Sequence, residues 1–220
     1  MPNRSDQSPN LATSDASGRP SAFFVGDHPA LDFVNTVAAP SGTQIEWIAT
    51  GRDLVGWLVH AGAITDADQT SILTKWPPTK LDKMAAEAVA LREWFRGVLA
   101  RVKAEGISAL ARSDIDHLNS VLARGSTFEQ VEAHAAHGHW HIVTNRPWRE
   151  PGEILAPIAS AMADVLTNGD FDLIRKCENP PCTIWFYDRT KGHRRRWCSQ
   201  TMCGNRAKVA AFRERQKLGE

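Results

Sequence analysis

Long apolar segments are missing from this sequence of 220 residues. No stretch approaches the roughly eighteen apolar residues that suggest a transmembrane helix. Residues 1–21 are rich in Ser, Pro, Asn, Asp and Gly and lack the apolar centre of a secretory signal. We therefore expect residues 1–21 to be a disordered tail and the protein to be soluble and cytoplasmic.

The common sequence marks of catalysis are missing as well. The sequence has no glycine-rich phosphate loop, no HExxH motif and no recognisable pairing of a nucleophile with a base. We therefore predict that the protein is not an enzyme and that it has no catalytic residues. The less favoured alternative is an enzyme of unknown chemistry that its C-terminal part holds on nucleic acid.

Cysteine is scarce, and its four copies all lie in the last fifty residues. Cys177 and Cys182 form one C-x4-C pair, and Cys198 and Cys203 form a second. Two such pairs around a short insert are typical of a structural zinc site, because four thiolates fill a tetrahedral shell and leave no open position for catalysis. Two disulfides are rare in cytosolic proteins, and the spacing matches neither common ferredoxin pattern. The sequence therefore predicts one structural zinc ion per chain.

The residues around the cysteines predict a small finger over residues 171–220. Residues 183–187 are β-branched and aromatic, residues 188–192 indicate a turn, and residues 193–197 can return as the partner strand. Residues 204–217 contain good helix formers and no proline. A zinc-nucleated β-hairpin followed by a helix makes a treble-clef or ribbon-like finger, whose stability would come mainly from the metal.

Charge is divided unevenly along the chain. Residues 171–220 carry twelve Lys and Arg against five Asp and Glu, whereas residues 1–170 carry fourteen against twenty. The formal net charge of +1 therefore combines an acidic front with a basic C-terminal part. This asymmetry indicates that the C-terminal part meets a polyanion, and DNA is the expected partner.

The candidate nucleic-acid ligands lie in the insert and on the predicted helix. Between two sets of helical cations, Val209 and Phe212 form an apolar strip that we expect to rest on Trp185, Phe186 or Trp197. Solvated surface charge and docking to an acidic protein are the alternatives. The predicted DNA-binding cations are Arg189, Lys191, Arg194, Arg195, Arg196, Arg206, Lys208, Arg213, Arg215 and Lys217.

The front part, residues 22–170, reads as a mainly helical domain with one small hairpin. Thr50 and Asp53 indicate a capping box, and apolar residues recur at helical spacing. Because Pro157 is tolerated only near a helix start, the last helix should begin late or kink. The helices are expected near Pro29 and over Thr50 to Gly62, Thr65 to Lys75, Thr79 to Glu105, Ser113 to Gly125 and Pro151 to Gly169.

Two groups of front-domain residues could bind small ligands or metal. Asp32, Asn35 and Trp94 could line a ligand pocket, although bracing of neighbouring backbone and core packing are favoured for these residue types. The predicted hairpin carries four histidines that could ligate a second metal ion. Strand alternation instead favours exposed histidines, with Trp140 and Ile142 facing the core. The histidines are His134, His137, His139 and His141.

The cysteine pairs and the residues between them resemble the CGNR zinc finger, named for Cys203-Gly204-Asn205-Arg206. The string His28 to Val37, HPALDFVNTV, resembles the ABATE domain that precedes this finger in a family of stress-induced transcription regulators. The resemblance implies zinc, DNA binding and a bacterial-type regulator of the stress response. For the front domain, sensing of a small-molecule effector and formation of a homodimer are the two roles we consider.

Overall fold

The computed structural model of the chain describes residues 19–133 and 138–218. Within these ranges the front part is mainly helical, and two antiparallel strand pairs interrupt it: β1 (Val37–Ala38) with β2 (Ile45–Glu46), and β3 (Phe128–Ala133) with β4 (Trp140–Asn145). Its helices are α1 (Pro29–Val34), α2 (Gly51–His60), α3 (Asp66–Lys75), α4 (Pro78–Glu105), α5 (Arg112–Leu122) and α6 (Ala156–Asn168).

The C-terminal part is a third strand pair followed by a helix. Strand β5 (Ile174–Lys176) pairs with β6 (Trp185–Tyr187), and a π-helical turn (Gln200–Gly204) leads into α7 (Asn205–Leu218). The predicted order, a mainly helical front followed by a hairpin-and-helix finger, is confirmed. Among residues 19–133 and 138–218, none of the helices combines the length and the apolar composition that a membrane span requires.

Helix α4 is the centre of the front core. Its apolar stripe buries Leu91, Phe95, Val98 and Leu99 almost completely, and α1 and α2 pack against it. Burial of a leucine or phenylalanine side chain contributes about 1.5–3 kcal/mol, so this stripe is a large part of what holds the helices together. Helix α6 closes the core through Ile158, Ala159, Met162 and Val165.

Local sequence signals set the helix starts. Thr50 and Asp53 form a capping box at α2, and Thr65 and Asp68 form a second one at α3, which satisfies backbone donors that have no partner within the helix. A 3₁₀ turn over Pro151–Leu155 precedes α6. Helix α6 therefore begins late, at Ala156, and Pro157 lies in its first turn, where proline is tolerated.

The hairpin of β3 and β4 corrects one sequence-based prediction. Trp140 and Ile142 were expected in the core, but they are 72% and 64% exposed, as is Val131 opposite Ile142 at 61%. No residue of either strand is buried among those described, because the hairpin projects from the helical body. Alternation correctly separates the two faces, yet neither face is covered by the core.

Helix α1 is fastened to α6 by a buried imidazole. His28 precedes α1, accepts from Ala30 N at its Nδ1 and contacts the Asp164 carboxylate through Nε2 at 3.1 Å. Its ring lies against Tyr187. Burial lowers the pKa of His28 below 6.5, with Arg189 acting in the same direction and Asp164 opposing it.

This lowered pKa predicts a pH-dependent stability. Below pH 6.5 the unfolded chain takes up the His28 proton before the folded chain does, so stability that is present above pH 6.5 falls as the pH decreases toward the folded pKa. The slope is at most about 1.4 kcal/mol per pH unit. Thermal unfolding of His28→Asn, which keeps a capping acceptor, should show a shallower acid dependence. The His60→Asn control should retain the native dependence, and equal slopes in all three proteins would contradict the prediction.

Candidate metal centre and nucleic-acid interface

The four cysteines converge at one buried point. Their sulfurs all lie within 4.8 Å of one another; Cys198 Sγ lies 3.8 Å from Cys182 Sγ and 3.6 Å from Cys203 Sγ. A tetrahedron with zinc–sulfur bonds of about 2.3 Å requires sulfurs about 3.8 Å apart, so the tetrad fits a zinc ion. A disulfide needs about 2.05 Å, and all four cysteines are free.

Two turns bring the cysteine pairs together. Cys177 follows β5 and donates its N–H to Ile184 O at 2.9 Å, and Cys182 N closes a turn on Asn179 O at 2.8 Å. In the second pair, Cys203 N donates to Ser199 O at 3.0 Å. Asn179 Nδ2 also donates to Cys203 Sγ at 3.4 Å, and such donors stabilise thiolate charge and orient the ligands.

The thiols cannot all ionise in this space without a cation. Hydrogen bonds from Cys182, Cys198 and Cys203 lower the pKa of Cys177 far below its usual range. The same bonding with Cys177 raises the pKa of Cys182 and of Cys198. A divalent ion removes this conflict, because it stabilises all four as thiolates. Four sulfur ligands complete the tetrahedral shell, so the zinc is structural.

The finger strand β6 lies between two hydrophobic cores. Its side chains alternate, so Trp185 enters the core of the front helices while Phe186 enters a second core around the cysteines. Four residues from the beginning of the front part complete that second core: Phe23, Val25, Ala38 and Trp47. The metal centre therefore shares its packing with the front part.

Asn35 joins the finger to the front part, because its side-chain amide pairs with the backbone of β6 as a neighbouring strand would. Its Nδ2 donates to Trp185 O at 2.7 Å, and its Oδ1 accepts from Trp185 N at 2.9 Å. Thr183 and Tyr187 make further links, through Ala39 N and Gly26 O. The finger is therefore fixed to the front part.

The three predicted pocket residues lie in different settings. Asn35 braces β6, Asp32 accepts from Gly26 N at 2.8 Å, and Trp94 on α4 donates to Asp114 at 3.2 Å. Bracing, the alternative favoured for the first two residue types, is what the hydrogen bonds of Asp32 and Asn35 do. In the predicted histidine group, His139 is exposed and His141 is half-buried. His134 and His137 lie outside the described residues.

The finger hairpin differs from the predicted one in its strands. Residues 193–197 were expected to pair with 183–187, but β6 pairs with β5, which precedes the first cysteine. Asp188 explains the difference, since its buried carboxylate accepts from Thr190 N and Oγ1 and from Arg195 N. Burial raises the pKa of Asp188, but these hydrogen bonds outweigh it and the net pKa is lowered. The chain after β6 is thereby folded into a compact loop.

Arg195 and Arg206, both predicted to bind DNA, are half-buried and contact the protein itself. The Arg195 guanidinium pairs with Asp27, donates to Val25 O, Trp197 O and Cys198 O, and lies 4.3 Å from the Phe186 ring centre. Its side chain is only 19% exposed. Arg206 donates to Pro40 O. These internal contacts could not be predicted from the sequence, because the partners Asp27, Val25 and Pro40 lie far away along the chain.

The other predicted cations lie on two exposed segments of the finger. Arg196 is exposed and pairs with Glu178 at 2.6 Å. Seven further cations are exposed on the loop after β6 and along α7: Arg189, Lys191, Arg194, Lys208, Arg213, Arg215 and Lys217. Because the loop precedes Cys198 and the helix follows Cys203, both segments are positioned by the metal centre.

Helix α7 does not pack as its sequence suggested. Val209 and Phe212 were expected to rest on the finger aromatics, but they are 48% and 53% exposed. Trp185 and Phe186 are buried in the two cores instead. The described contacts of α7 are concentrated on the preceding π-helical turn, so the helix extends from the finger with its sides open.

Two family models match the chain, and together they cover most of it. Residues 27–169 are similar to ABATE, described as "Putative stress-induced transcription regulator". Residues 174–216 are similar to the CGNR zinc finger. No curated protein matches the sequence. The two matches agree with the resemblances carried by the His28 to Val37 string and by the cysteine pairs, and neither describes an enzyme.

Proposed function

Because the chain belongs to the ABATE family and ends in a CGNR zinc finger, we propose that it is a transcription regulator that binds DNA through the finger. The zinc ion fixes the fold of the finger and takes no part in a reaction. The exposed cations of the loop and of α7 contact the phosphate backbone. Arg195 and Arg206 hold the finger on the front part and support these contacts indirectly.

The single observation that carries this proposal is the exposed charge on α7. Between Lys208 and Lys217 every residue is exposed, and the segment has four cations against one acid. A cation with an internal role is normally paired with an acid or half-buried, as Arg195 is. A helix with free sides and this charge is suited to a polyanion such as duplex DNA.

Salt dependence tests the proposal. If six or more phosphates are contacted, the affinity of the zinc-loaded protein for a 30-base-pair duplex should fall about 10³-fold or more between 50 and 200 mM salt. The double variant Arg213→Ala with Lys217→Ala should make the log–log slope shallower by about 2, since each lost contact removes about 0.9. Fluorescence anisotropy measures both quantities.

A matched control separates local contacts from total charge. Arg112 is an exposed arginine of the front part that pairs with Asp116, so Arg112→Ala should leave the slope unchanged. A flat salt response of the native protein would contradict DNA binding. An equal change in slope for Arg112→Ala would show that net charge alone, and not the α7 surface, sets the affinity.

The exposed strip of Val209 and Phe212 also supports a second candidate function, docking to an acidic protein. In that case the finger would capture a protein after nuclease treatment while naked DNA would be ignored. Immobilised native protein, tested with and without nuclease and against a labelled duplex, distinguishes the two functions. Loss of capture after nuclease treatment favours DNA.

For the front part we propose effector sensing or dimer formation. A cavity of about 190 Å³ lies beside the root of the β3–β4 hairpin, lined in part by Arg146, Trp148, Glu153 and Ser160. This volume suits a small effector somewhat larger than benzene, which an engineered cavity of about 150 Å³ holds. The exposed face of the hairpin is available for a second copy. Sedimentation equilibrium of the native protein distinguishes a monomer from a dimer.

A further inference from the structure

Helix α7 has a narrow face of particular composition. At about 100° per residue, Asn205, Val209, Phe212 and Gln216 fall within about 60° of one another. Asn205, Val209, Phe212 and Gln216 are all exposed. We call these four residues the reading stripe.

Cations border the reading stripe on both sides. Lys208 and Arg215 lie on one side, and Arg213 and Lys217 lie on the other, each about 60–110° from the centre of the stripe. The only acid of the helix, Glu214, lies on the far side, about 170° away. The helix therefore presents an uncharged stripe between two positive edges.

This arrangement matches the major groove of duplex DNA. The groove is about 12 Å wide and admits a helix, with base edges at its floor and phosphates along both walls. Asparagine and glutamine can pair with adenine, and apolar side chains contact the thymine methyl group. The 14 residues of α7 span about 21 Å, which is enough to follow the groove across several base pairs.

We propose that α7 is a recognition helix that places the reading stripe against base edges in the major groove while the bordering cations contact the two phosphate walls. This inference rests on the proposed DNA binding and adds to it the residues that determine sequence preference. Charge favours duplex DNA over an apolar protein groove, because both edges of the stripe are positive and neither carries an acid.

The N-terminal end of α7 is held in place, which fixes the direction of the reading stripe. Arg206 donates to Pro40 O in the front part, and the preceding turn is closed by Cys203 N and Gly204 N on Ser199 O. Met202, Cys203 and Gly204 of that turn are buried. The metal-bound turn thus fixes the direction in which α7 leaves the finger.

The test uses the full zinc-loaded chain and a library of random 30-base-pair duplexes, with bound molecules selected and sequenced. The native protein should enrich a sequence motif. Phe212→Ala with Gln216→Ala should relax that motif and weaken binding to the enriched duplex about tenfold or more. Its affinity for a scrambled duplex of the same length should change less than about twofold. Ala210→Ser, on the far side of the helix, should keep the motif.

The outcomes separate this inference from the proposed function. If the native protein binds no duplex even at 50 mM salt, DNA binding fails and the recognition helix with it. If duplexes are bound but the stripe variant keeps the native motif and affinity, only the recognition helix is overturned. The inference is also overturned if the stripe variant abolishes self-association or protein capture while its DNA motif is unchanged. Unaltered zinc content and circular dichroism show that each variant is folded.

Discussion

Removal of zinc is expected to unfold the finger and to loosen the beginning of the front part with it. Zinc binding to comparable small fingers contributes about 10–16 kcal/mol of apparent free energy at neutral pH. Chelation under reducing conditions should therefore abolish DNA binding. Cys203→Ser should lower the free energy of unfolding by about 4 kcal/mol or more.

The loss of structure should extend to the front part, because the core around the cysteines contains side chains of both the finger and the front part. Phe23, Val25 and Trp47 pack with the cysteines, so their segments lose a packing partner when the tetrad separates. Hydrogen exchange followed by mass spectrometry should show faster exchange in residues 22–48 and 174–204, whereas the middle of α4 stays protected. Thr201→Ser, beside the tetrad but not a ligand, should match the native protein. Unchanged protection of residues 22–48 without zinc would contradict the shared core.

The cysteine spacing was sufficient to predict the tetrad, because four thiols in two short turns have few other ways to be satisfied. It did not predict which strands would pair. A β-strand needs only a neighbour with free backbone groups, and Ile174–Lys176 meets this need as well as residues 193–197. The choice depends on Asp188, whose side chain binds the loop backbone. That contact depends on burial, which the local pattern does not contain.

Apolar periodicity predicted which side chains share a face of a helix or strand, but it did not predict whether another element covers that face. In α4 the stripe from Leu81 to Val102 predicted the buried side correctly, because other helices lie against it. Trp140 with Ile142, and Val209 with Phe212, also share faces as predicted, yet both pairs are exposed. Periodicity describes one element alone. Whether a second element lies opposite is decided by the whole fold, or by a partner that the single chain lacks.

Arg195 shows that the charge of a sequence segment does not predict the environment of each charged side chain. The run Arg194-Arg195-Arg196 has one composition but three environments: Arg194 is exposed, Arg196 pairs with Glu178 at the surface, and Arg195 is enclosed between the loop and the front part. A strand-like alternation separates Arg195 from its neighbours, but it does not reveal which side is internal. The partners that decide this, Asp27 and Val25, are distant in sequence.

Arg195→Met is accordingly expected to lower the free energy of unfolding by about 3 kcal/mol, whereas Arg194→Met should change it by less than about 0.5 kcal/mol. Methionine keeps much of the side-chain volume over Phe186 but removes the charge paired with Asp27 and the donors to Val25 O and Cys198 O. Acceptors enclosed without a donor are costly. Denaturant unfolding of the zinc-loaded proteins gives both values.

Arg194→Met and Arg195→Met also distinguish an arginine that binds DNA from one that holds the finger on the front part. Arg194→Met should make the salt dependence of duplex binding shallower at unchanged stability, because an exposed phosphate contact is lost. Arg195→Met should act through stability. In the absence of denaturant, and at a temperature well below the midpoint of its thermal unfolding, the salt slope of this variant should therefore equal that of the native protein. If Arg195→Met were as stable as the native protein and its salt slope were shallower, the guanidinium would face DNA and not Asp27.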